Sequence, residues 1–232
     1  MNKITKPSLA TLAVTVSLAL AAVSACQPQV QNSQQPLNAQ QTPDATPPQA
    51  NQSPTQANQS QGQRQGFDVA AQFTAAGFMG DGEQGRKYIQ VLEAWTTDPH
   101  SPPNCIKVIY SPGPNGWGGV YWQNKPDNWG DQPGEDFSHA GYKKLTFWAR
   151  GDTGGEVVEF KAGGINAPGK PYKDSFEAAT GKVQLEKGWK QYTLDLTGKD
   201  LSSVIGGFSW VAAASANPKG ATFYLDDIFY EH

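Results

Sequence analysis

The chain has 232 residues, with 18 Lys and Arg against 21 Asp and Glu and a formal net charge of −3. This mildly acidic, mixed charge has no basic run and excludes the electrostatic footprint of a nucleic-acid binder. Three histidines and two cysteines, none at zinc-ligand spacing, exclude a sequence-defined zinc centre.

The chain begins Met1-Asn2-Lys3-Ile4-Thr5-Lys6, basic and without an acid, and then runs apolar from Leu9 to Val23, broken only by Thr and Ser. That order predicts a secretory signal peptide over 1–25, its apolar run being short for a stable membrane span. The run ends Val23-Ser24-Ala25-Cys26, which resembles the lipobox of bacterial lipoproteins. The resemblance implies cleavage before Cys26, lipid on its sulfur, and anchoring in a bacterial cell envelope, facing the periplasm or the outside. The alternative is an ordinary signal peptide that happens to end at a cysteine. From Gln27 to about Gln65 the composition turns to Gln, Pro, Asn, Ser, Thr and Ala, with Asp44 and Arg64 the only charges and no aromatic residue. Such a segment buries too little apolar surface to offset its ordering entropy, so 26–66 is expected to be a disordered tether. As a flexible coil of about 40 residues it reaches roughly 35 Å. Lipidation of Cys26 leaves Cys105 without a disulfide partner, and its place at a strand start predicts a small buried hydrophobe.

The folded domain is expected from Phe67 to His232. Strands are predicted over Tyr88–Trp95, Ile106–Ser111, Gly118–Gln123, Lys144–Arg150, Glu156–Gly163, Trp189–Leu196, Phe208–Ala212 and Thr222–Tyr230, separated by Gly, Pro, Asn and Asp. The only helical signal is one turn over Asp200–Val204, capped by Asp200. About eight short strands without helices between them define an all-β fold, a β-sandwich or jelly roll.

Alternation sorts the strand faces. Ile106, Val108 and Tyr110, then Val120 and Trp122, Leu145 and Phe147, and Val158 and Phe160 make one apolar set, the predicted core. The opposite set reads Tyr121, Gln123, Trp148, Arg150, Glu159 and Lys161. Two rings among an amide, a guanidinium, a carboxylate and an ammonium suggest a binding surface; the alternative is a solvated face whose charges pair across strands. Nearby, Trp117 and Trp129 flank the third strand in Gly-, Asn- and Asp-rich sequence, while Trp122 alternates into the core.

Several catalytic signatures fail. Gly164-Ile165-Asn166-Ala167-Pro168-Gly169-Lys170 has the glycine and lysine spacing of a phosphate-binding loop, but Pro171 replaces the magnesium-ligating hydroxyl residue, and two prolines suit a surface turn. No Gly-x-Ser-x-Gly elbow occurs. Among the carboxylates Asp131, Glu135, Asp136 and Glu159, no spacing singles out a glycosidase acid and base. The final strand, Phe223-Tyr224-Leu225-Asp226-Asp227-Ile228, places two adjacent acids in an apolar run; at least one needs a cation or hydrogen-bond donors.

Leu145-Thr146-Phe147-Trp148-Ala149-Arg150-Gly151, Val158-Glu159-Phe160-Lys161, Trp189-Lys190-Gln191-Tyr192-Thr193-Leu194-Asp195-Leu196 and Phe223-Tyr224-Leu225-Asp226-Asp227-Ile228 together resemble the galactose-binding-like jelly rolls. These include many carbohydrate-binding modules of bacterial glycanases, and the likeness runs from about Met79 to the end. It implies non-catalytic binding of a polysaccharide or oligosaccharide, for which the face read from alternation and its flanks offers Trp117, Tyr121, Gln123, Trp129, Trp148, Arg150, Glu159 and Lys161. It also implies a structural calcium ion held by Asp226 with Asp81 or Glu83. No catalytic domain is expected beside the module, and the fold serves many functions. A protein partner in the envelope is the alternative use of the aromatic face, and a glycan-active enzyme is the least supported.

Overall fold

In a computed structural model, residues 66–83 and 86–232 are described. The signal peptide, Cys26 and all of the tether but Gly66 lie outside the described residues. Among the described residues eleven strands form: β1 (Phe67–Asp68), β2 (Thr74–Gly80), β3 (Ile89–Trp95), β4 (Cys105–Tyr110), β5 (Trp117–Gln123), β6 (Lys144–Gly151), β7 (Val157–Gly163), β8 (Glu177–Gln184), β9 (Lys190–Asp195), β10 (Gly206–Ala213) and β11 (Ala221–Glu231). A short helix, α1 (Val69–Gln72), and a 3-10 turn over Asp81–Glu83 complete the elements. One sheet has the order β3-β4-β11-β6-β9 with β1 added on β11, and the other has the order β2-β5-β10-β7-β8. Every pairing is antiparallel. The fold is an all-β jelly-roll sandwich.

The apolar side-chain set seals the two sheets. Val108, Val120, Trp122, Leu145, Phe147 and Phe160 have no exposed surface, and Ile106, Tyr110 and Val158 almost none. Facing rings interlock, with Phe147 and Phe160 at 4.7 Å and Trp122 and Phe208 at 5.6 Å between centroids. Each such fully buried side chain contributes about 1.5–3 kcal/mol of transfer free energy. Trp122 is therefore a core residue, as alternation predicts. Cys105 is buried too, and burial pushes its thiol up to about 11, which keeps it protonated and unreactive.

The eight predicted strands all form, with ends shifted by one or two residues. Three further strands and α1 were not legible. β2 reads Thr-Ala-Ala-Gly-Phe-Met-Gly and β8 reads Glu-Ala-Ala-Thr-Gly-Lys-Val-Gln, both too small or too polar to show alternation. They are the two edge strands of the five-stranded sheet, where half the backbone stays unpaired and neighbours decide the conformation. The helical turn expected at Asp200–Val204 is not helical. Asp200 instead accepts from the Ser202 N–H at 2.9 Å, a local turn that competes with helix, and Val204 bridges to Glu135. The capping acid lies elsewhere: Asp68 accepts from Ala71 N at the start of α1.

The adjacent acids of β11 sit at a register break between Asp226 and Phe229, with Asp227 at φ +52°. This β-bulge lets Phe223 and Leu225 before it, and Ile228 and Tyr230 after it, all face the core.

Candidate functional site

The outer face of the five-stranded sheet follows from its register. Gly77, Tyr121, Ser209, Lys161 and Ala179 form one row across β2, β5, β10, β7 and β8; Met79, Gly119, Val211, Glu159 and Lys182 form the next. Gly119 and Val211 make the centre low, because a Cβ on Gly119 would lie 2.9 Å from Met79 and 3.2 Å from Val211. Charged side chains border this floor: Glu159 opposes Lys182, and Lys161 is ion-paired with Glu177. At the end of β5 stands Trp117, 40% exposed. Its ring lies against the backbone of Gly80, where a Cβ would come within 2.9 Å of it and where φ is +59°, so glycine serves both the turn and the ring's seat. Trp129 meets Tyr121 edge-on at 6.0 Å, and lines a cavity of about 320 Å³ with Ala76, Phe78, Gly82, Glu83, Arg86 and Asp127 beside the β2 edge.

Half of this face is closed. Tyr121, only 6% exposed, packs with Ile165 and Ile205. Its hydroxyl donates to the Gly163 carbonyl of β7 at 3.0 Å, so the side chain crosses β10. Burial pushes its phenol up to about 12. Gln123 and Ser209 are fully buried; Gln123 Nε2 donates to the Asn128 carbonyl at 2.8 Å, and Ser209 is hydrogen-bonded to the Tyr121 side chain. Ile165, on the Gly164–Lys173 strap whose phosphate-loop spacing the sequence shows, covers Tyr121, while Asn128 lies over Gln123. Asp174 pins the neck of the strap, accepting from the N–H groups of Ile165, Ile205 and Gly206. Burial raises the Asp174 carboxyl to about 6 against the pull of those donors. The sequence reading missed Ile165, Asp174 and the 42% exposed Tyr172; a lone isoleucine in a Gly/Pro-rich run was the available signal.

Trp148 and Arg150 do not share this face. They lie on β6, on the outer side of the six-stranded sheet, across a core about 10 Å thick from Tyr121. The single surface expected from alternation is thus two surfaces, because alternation separates in from out but does not say which sheet a strand joins. Here the Thr96–Asn104 connection folds over the strands. His100 stacks on Trp148 at 3.8 Å and 17°, and Asp98 meets Arg150 at 3.3 Å. Arg150, 8% exposed, lies 3.8 Å over Tyr224 and 5.3 Å over Trp189. Lys107 continues the series over Trp95 at 4.0 Å.

The carboxylates expected to share a calcium ion are not gathered. Asp81 is fully buried and already accepts from Tyr110 Oη, Gly113 N and Asn115 N at 2.7–3.1 Å. Asp226 lies toward the opposite end of β4, beyond the Leu225 pairing with Ile106, whereas Tyr110 pairs with Ala221. The four strand steps from Ile106 to Tyr110 span about 13 Å. Glu83 is exposed in the turn after β2. Among the described residues, no three His, Cys, Asp or Glu side chains come together as a metal site. Donors meet the need of the β11 acids instead: Ser101 N donates to Asp226 at 2.9 Å, and Ser101 Oγ to Asp227 at 2.7 Å, with His100 Nδ1 at 2.9 Å from Asp227. The chemistry of Asp81, Glu83 and Asp226 thus does not fit one shared ion.

No family model matches the chain, and no curated protein matches it. Among solved structures, it is similar to a family 30 carbohydrate-binding module at 16% identity and TM-score 0.46, covering 71% of this chain and 99% of that one. It is similar to the family 11 carbohydrate-binding module from Clostridium thermocellum, in complex with a β-1,3-1,4-mixed-linked tetrasaccharide, at 16% identity and TM-score 0.41, covering 68% of this chain and 100% of that one. An exo-β-agarase matches at 14% identity and TM-score 0.45, over 71% of this chain and 25% of that one.

Proposed function

We propose that this chain binds a polysaccharide without acting on it, on the outer face of the five-stranded sheet, displayed from a bacterial envelope membrane through lipid on Cys26. One observation carries the reading: Trp117 presents a 40% exposed ring, held rigid against Gly80, at the end of a low floor bordered by Glu159, Lys161 and Lys182. Sugar rings have apolar C–H faces and a rim of hydroxyls, so a flat ring beside charged hydrogen-bonding groups matches both. Trp129 extends the surface over the β2 edge. Two rings each covering roughly 80 Å² contribute about 4 kcal/mol at ~25 cal/mol per Å². Association costs offset much of this, which sets an affinity on the order of 0.1–1 mM for a short oligosaccharide. Display of many copies on a surface strengthens retention.

The test is a polysaccharide array with the purified chain, its Trp117→Ala variant and its Trp148→Ala variant, each checked for folding by circular dichroism. Retention on one glycan class that falls at least tenfold in Trp117→Ala, and is unchanged per folded molecule in Trp148→Ala, supports the reading. Silence of the folded native chain across the array, or retention indifferent to Trp117, rejects it.

A further inference from the structure

The register of the five-stranded sheet brings small apolar residues together beside Trp117. Trp117 opposes Ala213 across β5 and β10, and Gly119 opposes Val211, which in turn opposes Glu159 on β7. Glu159 opposes Lys182 on β8. Val157, Val211, Ala213 and Ala216 line, together with Glu159 and Lys182, a recess of about 40 Å³. At roughly 10–15 Å³ for each water-sized group, that leaves room for about three heavy atoms.

The recess is built before any ligand arrives. Asn217, 5% exposed, clasps the turn between β10 and β11 to the start of β7. Its Nδ2 donates to the Val157 and Ala213 carbonyls at 2.9 and 3.1 Å, and its Oδ1 accepts from Val157 N at 2.9 Å. Walls fixed in this way spare a ligand the cost of ordering them.

Its polar groups are of two kinds. In the neighbouring row Lys161 is ion-paired with Glu177. Glu159 and Lys182 face each other directly, yet their head groups make no ion pair or side-chain hydrogen bond among the described residues. A carboxylate that accepts, an ammonium that donates and an apolar hollow therefore meet at one place. An acetamido group presents the complement of all three, with an N–H to donate, a carbonyl to accept and a methyl to bury. Its carbonyl carbon, oxygen and methyl match the room available. A hydroxyl has no methyl for the hollow, a uronate would set a second carboxylate against Glu159, and a free amine a second cation against Lys182.

We infer that the recess selects an N-acetylated amino sugar, so that the polysaccharide recognised on this face carries acetamido groups. The inference rests on the polysaccharide-binding reading and names its ligand class. Trp117 on β5 and Val157 on β7 are two strand spacings apart, about 10 Å. The ring thus stacks on one sugar unit while the recess, Glu159 and Lys182 read the acetamido group of another in the same chain.

The experiment measures retention of the full chain on N-acetylated polysaccharides and on the same polymers after N-deacetylation, re-N-acetylation and N-butanoylation. The acetylated forms are expected to be retained at least tenfold better than the deacetylated ones. Re-N-acetylation should restore retention, whereas the butanoyl group, too long for the recess, should not. Ala216→Leu, which fills the recess from an exposed turn, and Lys182→Met, which removes the donor, should each reduce the acetyl preference to under threefold with the urea midpoint unchanged. Trp117-dependent retention that is indifferent to N-acetylation, or confined to glycans without acetamido groups, overturns the inference and leaves polysaccharide binding standing. So does an acetyl preference that persists in both variants. Silence of the folded native chain on every glycan rejects the functional reading and this ligand class with it.

Discussion

The two outer faces of the sandwich contain similar residue types arranged to opposite ends. On the six-stranded sheet, His100 stacks on Trp148, Arg150 meets Asp98, Trp189 and Tyr224, and Lys107 lies over Trp95. Their aromatic and cationic groups stabilise the closure of the Thr96–Asn104 connection. On the five-stranded sheet, Trp117 is left exposed beside a glycine floor. Residue type alone therefore does not mark a binding face. What separates these two faces is whether a ring is covered by another part of the chain, as Trp148 is by His100, or left exposed, as Trp117 is.

The comparison is broken most directly on the closed side. Trp148→Ala removes the ring under His100, and the loss of packing is expected to destabilise the domain by about 3 kcal/mol in urea unfolding. Glycan retention per folded molecule should not change; a folded Trp148→Ala chain that loses retention would place the binding face on the six-stranded sheet.

A pH series sharpens the difference at the strap. The Asp174 carboxyl titrates near 6 when closed and near 3.8 when free, because burial outweighs its three N–H donors. A carboxyl whose folded value is raised holds its proton more tightly in the closed state. The closed neck is thus most stable below about pH 4 and weakens as pH rises through 6, by an amount on the order of 1–3 kcal/mol. Exchange of the Ile165 and Ile205 amides, corrected for intrinsic rates, should show opening that grows from pH 4 to 7 and is flattened in Asp174→Asn. The reverse trend would mean that the donors, rather than burial, control this group.

The open side should respond the opposite way to Trp148. Trp117→Ala is expected to cost about 1.4 kcal/mol or more in binding, a tenfold loss, and to change the free energy of urea unfolding by less than ~0.5 kcal/mol, since the ring is 40% exposed. The smallest effect belongs to the strap tip. Lys170→Ala breaks an ion pair with Asp131 that lies in solvent, and should change stability by less than ~0.5 kcal/mol. A larger change there would show that the tip, not the Ile165–Asp174 neck, holds the strap closed.

Much of the fold was legible because alternation is a local signal. Ile106 with Val108, Leu145 with Phe147, and Val158 with Phe160 reveal both strand and inward face, and every one of them is buried. β2 and β8 were not, since Ala-Ala-Gly and Ala-Thr-Gly runs state no preference until β5 and β7 pair with them. The candidate site was legible in part. Trp117, Tyr121, Gln123, Glu159 and Lys161 stand on one sheet with Trp129 at its rim, but Tyr121 and Gln123 are beneath a cover that no pattern announces.

The sequence by itself determined that the chain is all-β, which residues face inward, and that its rings cluster where the chain turns. These are properties of neighbours one or two positions apart, and the pleat converts them directly into geometry. Only the tertiary structure decided that Trp148 and Tyr121 point away from each other, that Asp81 and Asp226 stand apart, and that Ile165 of a Gly/Pro-rich segment covers Tyr121. Each depends on which strand lies beside which, and that order is set by packing between residues far apart in the chain.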